Sequence, residues 1–388
     1  MTDQARFRDE LRRLKQQRGL SYRALASRSN YSPSYLQELV NGDKPPNEAI
    51  AEQLDIALNA GGRLVALLRP AADGSDDEIE AAELTRRVTT SDVGAETLDQ
   101  LQQAADRLAM AYSTTPPVIL LPRVRRHLGY VASLIDARKT LAQQRRLFVV
   151  GGWLSLLRAT LHIDLRQAGA AAAYLRTAAR LAEDVEDREI AAWCLETRAW
   201  ELLTDGEYRQ AIQLSQHAQA IAPARGSAIV QATAQEGRAW ARLGDRARTG
   251  AVLNRVERMA GRRTQPAEPE HHYRYDPAKA HAYAATTLAW AGDPAAATVA
   301  RAVIAELTGE GVRPRRIASA RLDLGLALLG AGRPDEAAHE ARQAIESGRI
   351  VPSNWWRAAE VIDGVAGAGL PEAEDLRALA AEFKPRIG

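Results

Sequence analysis

The sequence predicts an all-α protein, with a small N-terminal domain followed by an array of helical hairpins. Ala, Leu, Arg and Glu dominate at helical spacing, and strand-like alternation is almost absent. A chain of 388 residues is also long for one compact core. We therefore predict a first domain over 1–70, a linker and connecting helix over 71–117, and a repeat domain over 118–388 whose clearest repeats span 155–350.

Composition and charge restrict the class of protein. The apolar fraction of 46% is typical of a folded chain, and the net charge is only +2, so any affinity for nucleic acid must come from local placement of charge. Cys194 is the only cysteine, which fits a reducing cytoplasm. The charged N-terminus lacks the apolar stretch of a signal peptide, and apolar runs such as LFVVGGWLSLL are short or interrupted. We expect a cytoplasmic protein with no membrane partner.

The first domain begins with an amphipathic helix that ends at a glycine. Phe7, Leu11 and Leu14 share one face of this helix, because they are spaced four and three residues apart. Gly19 follows as a left-handed terminator, and Ser21 is suited to cap the next helix.

The second helix is predicted to be short and to be followed by a capped third helix. Asn30 tolerates the left-handed conformation that a tight turn needs. Ser32 can cap the third helix, and Pro33 suits its first position. The third helix, SPSYLQELVN, ends at Gly42, and two further short helices complete the domain.

Two short helices joined by a tight turn, the second carrying small polar side chains, are what reading of the DNA major groove requires. Residues 5–69 resemble the helix-turn-helix of phage-repressor-like regulators, the XRE or Cro/CI type. The resemblance rests on the small Ala26, the turn residue Asn30, the core residues Leu36 and Leu39, and the ending at 41–46. Tyr22 stands where the family commonly has glutamine, and Asn30 where it often has glycine.

The resemblance implies that the third helix reads base edges in double-stranded DNA, because Gln can bond adenine and Glu can accept from cytosine. The implied base-reading residues are Ser34, Tyr35, Gln37 and Glu38. The implied phosphate contacts are Tyr22, Arg23, Arg28, Asn41 and Lys44. A homodimer is expected, with half-sites one helical turn apart. The alternative is that this helix is an ordinary amphipathic helix with a solvated polar face.

The rest of the chain repeats a glycine, four residues of any kind and a small residue. This pattern occurs at 206–211, 292–297 and 332–337, with degenerate copies, and its glycines are about 37–48 residues apart. The best copy, 192–225, resembles a tetratricopeptide repeat, so the array is tetratricopeptide-like. Stacked hairpins of this kind form a curved solenoid.

A repressor-type head joined to such an array resembles the peptide-sensing RRNPP regulators of Gram-positive bacteria and the head-plus-repeat regulators of actinobacteria. In tetratricopeptide arrays the first helix of each hairpin lines the concave groove. By position, the implied ligand groove contains Arg166, Trp193, Glu196, Trp200, Gln231, Arg238, Arg242, Lys279 and Trp290. Aromatic rings beside cations suit a peptide with carboxylate groups. The alternative is that the tryptophans are core residues between repeats.

Signals for catalysis or for a metal are missing. The sequence has no Gly-rich phosphate loop, no G-x-S-x-G and no H-E-x-x-H. Cys194 lies in an apolar helix and is predicted to be a small buried side chain. His271 and His272 lie in an insertion over 262–277, a candidate lid or partner loop, without the spacing of metal ligands. We predict no enzyme activity, no metal and no cofactor.

The sequence thus predicts a DNA-binding transcription regulator whose repeat domain dimerises and senses a peptide or small molecule. Ligand binding would change the curvature of the solenoid and so the spacing of two DNA-binding heads. The alternative is an adaptor that docks a protein partner through its repeats and uses DNA binding for localisation. A sensor should have a closed groove lined by Trp193, Trp200 and Trp290, and an adaptor a wide, exposed one.

Overall fold

The computed structural model describes residues 3–29, 31–58, 60, 63–68, 75–88, 93–264, 266–268, 270–309 and 314–383. Every regular element in these ranges is a helix, so the predicted all-α class is confirmed. The chain divides into two compact units, Met1–Ala81 and Ala82–Gly388. The turn residue Asn30 and the predicted domain boundary after residue 70 lie outside the described residues.

The first unit is built from short helices with the predicted caps. The helices are α1 (Asp3–Gln17), α2 (Tyr22–Ser29), α3 (Pro33–Asn41), α4 (Glu48–Leu58), α5 (Arg63–Leu68) and α6 (Ser75–Val88), the last of which crosses the division between the units. Ser21 Oγ accepts a hydrogen bond from the Ala24 amide at 3.1 Å. Gly19 and Gly42 have φ angles of 62° and 96°, a left-handed conformation that a side chain would strain. The predicted terminations are confirmed.

One hydrophobic core holds the first unit together. Phe7, Leu11 and Leu14 are buried, as their spacing predicts, and pack with apolar residues of α2 to α5. Asp55 is also buried, because its carboxylate caps α5: Oδ1 accepts from the Leu64 amide at 3.1 Å and Oδ2 from the Val65 amide at 2.9 Å. This core fixes the position of α3.

The second unit is an array of antiparallel helix pairs. Its helices are α7 (Ala95–Ala111), α8 (Pro117–Ile135), α9 (Leu141–Asp164), α10 (Ala168–Val185), α11 (Arg188–Thr204), α12 (Tyr208–Ile221), α13 (Ser227–Arg242), α14 (Arg246–Ala260), α15 (Pro277–Trp290), α16 (Ala296–Gly309), α17 (Pro314–Gly330), α18 (Pro334–Glu346), α19 (Trp355–Gly367) and α20 (Glu372–Phe383). A short 3₁₀ helix, Pro352–Asn354, precedes α19.

Each odd-numbered helix from α9 onward packs against the even-numbered helix that follows it and against the next odd-numbered helix. The odd-numbered helices therefore form one continuous inner layer. The turn glycines Gly206 and Gly332 have φ angles of 85° and 71°. The small residues that follow them, Ala211 and Ala337, are fully buried where paired helices approach closely. The predicted solenoid is confirmed.

Two predicted helix boundaries were wrong. The sequence predicts one helix over 76–112, but the structure has α6 and α7, with Gly94 as the N-cap of α7. A helix predicted over 121–141 instead ends at Ile135, and Leu141 begins the next helix. The reason is local, because Thr140 and Gln143 form a capping box that starts α9.

Helix α9 is more continuous and more apolar than the sequence analysis assumed. An 18-residue window of this 24-residue helix reaches a mean hydropathy of 1.2, so by length and composition alone the helix could cross a membrane. However, 78% of that apolar window is buried within the structure. Since α8, α10 and α11 pack around it, α9 is the core helix of the array.

Candidate functional site

Helix α3 presents a polar face to solvent while its opposite face is locked into the core. Ser34 and Gln37 are exposed, whereas Leu36 and Leu39 are fully buried. The helix is held at its start because Ser32 Oγ accepts from the Tyr35 amide at 3.1 Å. Two of the predicted base-reading side chains therefore lie on a fixed, accessible surface.

The other two predicted base-reading residues are engaged by neighbours. The Tyr35 ring stacks on Tyr31 with centroids 5.2 Å apart, and Lys44 Nζ lies 4.8 Å from its centroid. The Glu38 carboxylate pairs with Lys44 at 3.1 Å. Glu38 and Lys44 would each have to leave this exposed pair to contact DNA, so the geometry favours Ser34 and Gln37.

The remaining residues predicted to contact phosphates differ in their exposure and in their contacts with neighbouring side chains. Arg23 and Arg28 are exposed, and no ion pair of either is formed among the described residues. Asn41 is exposed at the end of α3. Tyr22 is half-buried beneath Lys15, whose Nζ lies 4.4 Å from the ring centroid. The two arginines are therefore the better candidates for phosphates.

The second unit has a partly enclosed cavity of about 220 Å³ on the inner face of the array. On α11, Trp193, Glu196 and Trp200 face it because they are spaced three and four residues apart. The other inner helices contribute in the same way, with Asp164 on α9, Gln231 on α13, Thr286 on α15, Ser319 on α17 and Arg357 on α19.

The array closes on itself at Asp164, the last residue of α9. Asp164 is fully buried, and its Oδ1 accepts from Ser353 Oγ at 2.8 Å, a contact that spans 189 residues. Its Oδ2 accepts from Arg315 Nη2 at 2.7 Å and from Tyr112 Oη at 2.9 Å. Burial and the charge of Asp164 raise the pKa of Tyr112 well above its ordinary value. One carboxylate thus joins four separate parts of the unit.

The same contacts stabilise the charged form of Arg315. Burial alone would lower the pKa of Arg315, but interactions with Tyr112 and Asp164 outweigh it and raise the pKa. Arg315 also donates to the Tyr112 carbonyl, and its guanidinium lies 4.3 Å from the Tyr112 ring centroid. This buried ion pair is satisfied on both sides.

The insertion before α15 forms part of the cavity wall. His272 lines the cavity, and its ring lies 4.2 Å from the Tyr112 ring. Tyr273 is buried, with its ring 5.2 Å from Trp193, and its hydroxyl shares a hydrogen bond with Thr160 at 3.2 Å. The predicted lid or partner loop is packed in place; residues 265 and 269 within it lie outside the described residues.

Arg238 is the unusual charge of the cavity. It is 4% exposed and lines the cavity, but among the described residues it forms no ion pair. Its Nη1 donates to Gln235 Oε1 at 2.9 Å, and its guanidinium lies 5.1 Å from the ring centroids of both Tyr283 and Trp290. Burial, and then the positive charge of Arg357, lower the pKa of Arg238 to about 10.

The neighbouring arginines have carboxylate partners. Arg357 pairs with the buried Asp323 at 3.2 Å. Arg242 binds Glu360 with both terminal nitrogens, each at 2.6 Å. The carboxylates of Asp323 and Glu360 therefore pair with the neighbours of Arg238 and not with Arg238 itself, although the charges of Asp323 and Glu196 partly offset the lowering of its pKa.

The structure gathers five of the predicted groove residues around the cavity and places three elsewhere. Those on the wall are Trp193, Glu196, Trp200, Gln231 and Arg238. Arg242 and Trp290 lie behind the wall, where the guanidinium stacks 4.1 Å from the indole ring. Of Lys279, only the backbone within α15 is described.

Arg166 needs a correction. It lies in the turn after α9, with a φ angle of 57°, and pairs with Asp205 at 3.2 Å on the exposed surface. The prediction placed it in the groove by extending the inner helix past Asp164. Because α9 ends at Asp164, Arg166 points away from the cavity wall.

Sequence analysis missed the residues that complete the cavity. They include Tyr112, Asp164, Arg315, Asp323 and Arg357. A signal existed on α17, where the polar residues Arg315, Ser319 and Asp323 recur every four residues and so share one face of the helix. No repeat motif marks these positions.

The remaining reactive side chains are engaged in packing. Cys194 is buried, as predicted, and burial raises the pKa of its thiol to about 12. His271 Nε2 lies 3.1 Å from Asp106 Oδ1. Among the described residues, no cluster of three His, Cys, Asp or Glu side chains is arranged to hold a metal.

Residues 6–68 match the protein family described as "Helix-turn-helix domain". The first unit carries a helix-turn-helix domain. No curated protein matches the chain. Among solved structures, the chain is similar to the crystal structure of Bacillus thuringiensis PlcR in complex with the peptide PapR7 and DNA, with 13% identity, a TM-score of 0.35, and coverage of 66% of this chain and 94% of that one.

Proposed function

We propose that this chain is a sequence-specific, XRE-type DNA-binding transcription regulator of the cytoplasm, and that its repeat unit dimerises and senses a peptide or small-molecule ligand. The observation that carries the DNA-binding part is the capped helix α3, with Ser34 and Gln37 exposed on a helix whose other face is buried. Such a helix can enter a major groove without rearrangement.

In this proposal the two kinds of contact have separate roles. Gln37 supplies a bidentate amide that suits adenine, and Ser34 suits several base edges. Arg23 and Arg28 set the register on phosphates, because their charges are exposed and have no ion-pair partner among the described residues. Two copies would read half-sites one helical turn apart.

The partly enclosed inner face supports a sensor over an adaptor. Contacts to Asp164 join helices near the beginning and the end of the array, so the inner face forms a partly enclosed cavity and not a wide groove. A ligand there touches helices from most of the array at once. It would act by favouring one curvature of the array over another, and hence one arrangement of the two heads.

Sequencing the genomic fragments that the full-length protein binds tests the DNA-binding proposal. Wild type should select a symmetric site. Gln37→Ala should lose the base preference at one position of each half-site, a preference worth about 1–3 kcal/mol. Arg28→Ala should instead lower the affinity for all DNA sequences alike and reduce the salt dependence of that affinity.

The matched control is Gln53→Ala, which removes an exposed glutamine from α4 and should bind like wild type. If Gln37→Ala selects the same motif with the same affinity as wild type, α3 does not read the bases.

A further inference from the structure

We propose that the cavity of the second unit binds a small organic monocarboxylate, whose carboxyl group pairs with Arg238 while its apolar body lies against Trp200 and Tyr283. This inference rests on the proposed function in taking the cavity as the ligand site, and it adds the chemical class of the ligand.

The first argument is the charge of the wall. Arg315 is paired with Asp164, Arg357 with Asp323, and Arg316 with Glu270 at 3.2 Å. Arg238 is buried and forms no ion pair with a described residue. The carboxylates of Asp323 and Glu196 attract its charge from farther away, but neither forms an ion pair with it, so a carboxylate brought by a ligand would supply the direct partner that the buried guanidinium lacks.

The second argument is the orientation of Arg238. The rings of Tyr283 and Trp290 lie near its guanidinium, and Gln235 accepts from one terminal nitrogen. These contacts hold the planar group in a fixed position, which suits the planar geometry of a carboxylate. A phosphate dianion would need more than one free cation at the buried end of the cavity; Arg357 and Arg315 are already paired, and Arg349, which also lines the cavity, is exposed to solvent.

The third argument is size. A cavity of about 220 Å³ is well above the roughly 10–15 Å³ that holds one water, so it has room for an organic ligand of about ten non-hydrogen atoms. Aromatic rings and the side chains of Gln231 and Thr286 offer both apolar and polar contacts.

Isothermal titration calorimetry on the full-length protein tests the assignment with three probes. Phenylacetate has about ten non-hydrogen atoms, phenylacetamide has the same shape without the charge, and inorganic phosphate is an anion without an apolar body. Wild type should bind phenylacetate with a Kd below about 1 mM, and phenylacetamide and phosphate at least tenfold more weakly.

Variants test whether Arg238 is the residue that pairs with the carboxylate. Arg238→Gln should remove the preference for phenylacetate over phenylacetamide, and Arg238→Lys, which keeps the charge without the planar fork, should retain part of it. The matched control is Arg248→Gln on α14, because the Arg248 guanidinium is exposed, lies 4.3 Å from the Trp240 ring centroid and does not line the cavity; this variant should bind like wild type. Equal binding of the two probes, no binding of phenylacetate, stronger binding of phosphate, or an unchanged preference in Arg238→Gln would each overturn the assignment.

Binding to DNA, measured in parallel, separates this inference from the proposed function. If phenylacetate binds through Arg238 but leaves DNA affinity unchanged, the ligand assignment holds and the sensing function fails. If DNA binding is absent altogether, the regulator proposal fails while the calorimetric result still decides the ligand class.

Discussion

Ser34 and Gln37 lie exposed on a helix of nine residues, whereas Asp164 and Arg238 are buried, and the contacts of Asp164 span up to 189 residues of sequence. The surface that we propose to face DNA is therefore built locally, from one capped helix on a small core. The cavity exists only when distant helices close around it. Function in the first unit thus depends on exposed groups, and function in the second on how buried charges are balanced.

The largest expected effect tests the closure of the second unit. Arg315→Met should destabilise it by about 3–5 kcal/mol, because Asp164 would remain buried without its counter-charge. Unfolding in urea, followed by tryptophan fluorescence, measures this directly, since all seven tryptophans lie in the second unit.

Arg238→Met is the matched control, because it removes a buried guanidinium that has no ion-pair partner among the described residues. In the absence of ligand, its unfolding midpoint should equal or exceed that of wild type. A loss of stability as large as that of Arg315→Met would mean that Arg238 is a structural charge and would contradict the contrast between the two arginines.

A smaller effect is expected for the cap of α3, which can be tested by comparing substitutions of two nearby serines. Ser32→Ala removes the cap of α3 and should cost about 1 kcal/mol, which corresponds to roughly fivefold faster amide exchange in α3 of the full-length protein. Ser34→Ala should leave exchange unchanged and alter only DNA sequence preference. Equal exchange rates in the two variants would show that Ser32 does not hold the helix.

Sequence analysis predicted the first unit well because its signals are local. The capping residues Ser21 and Ser32 and the terminators Gly19 and Gly42 lie within a few residues of the helix ends that they determine. The buried face of α1 follows from spacing alone. What spacing could not show was that Glu38 pairs with Lys44, since that contact depends on the path of the chain after α3.

Only some of the residues that line the cavity could be predicted from the sequence. Positions on α11 and α13, such as Trp200 and Arg238, follow from the repeat pattern because the inner face of a hairpin is set by helical periodicity. Asp164, Arg315 and Arg357 could not be assigned in this way, because they meet only when the array closes. The sequence analysis placed Arg166 in the groove, but α9 ends at Asp164, two residues before it.

The affinity of the full-length protein for its selected DNA site, measured by fluorescence anisotropy with and without saturating phenylacetate, tests the central claim most directly. The claim is that occupation of the cavity at Arg238 controls the DNA-binding heads. It predicts at least a fivefold change in Kd for wild type, the lower end of typical coupling between sites, and no change for Arg238→Gln. An identical Kd for wild type in the presence and absence of bound phenylacetate would contradict it.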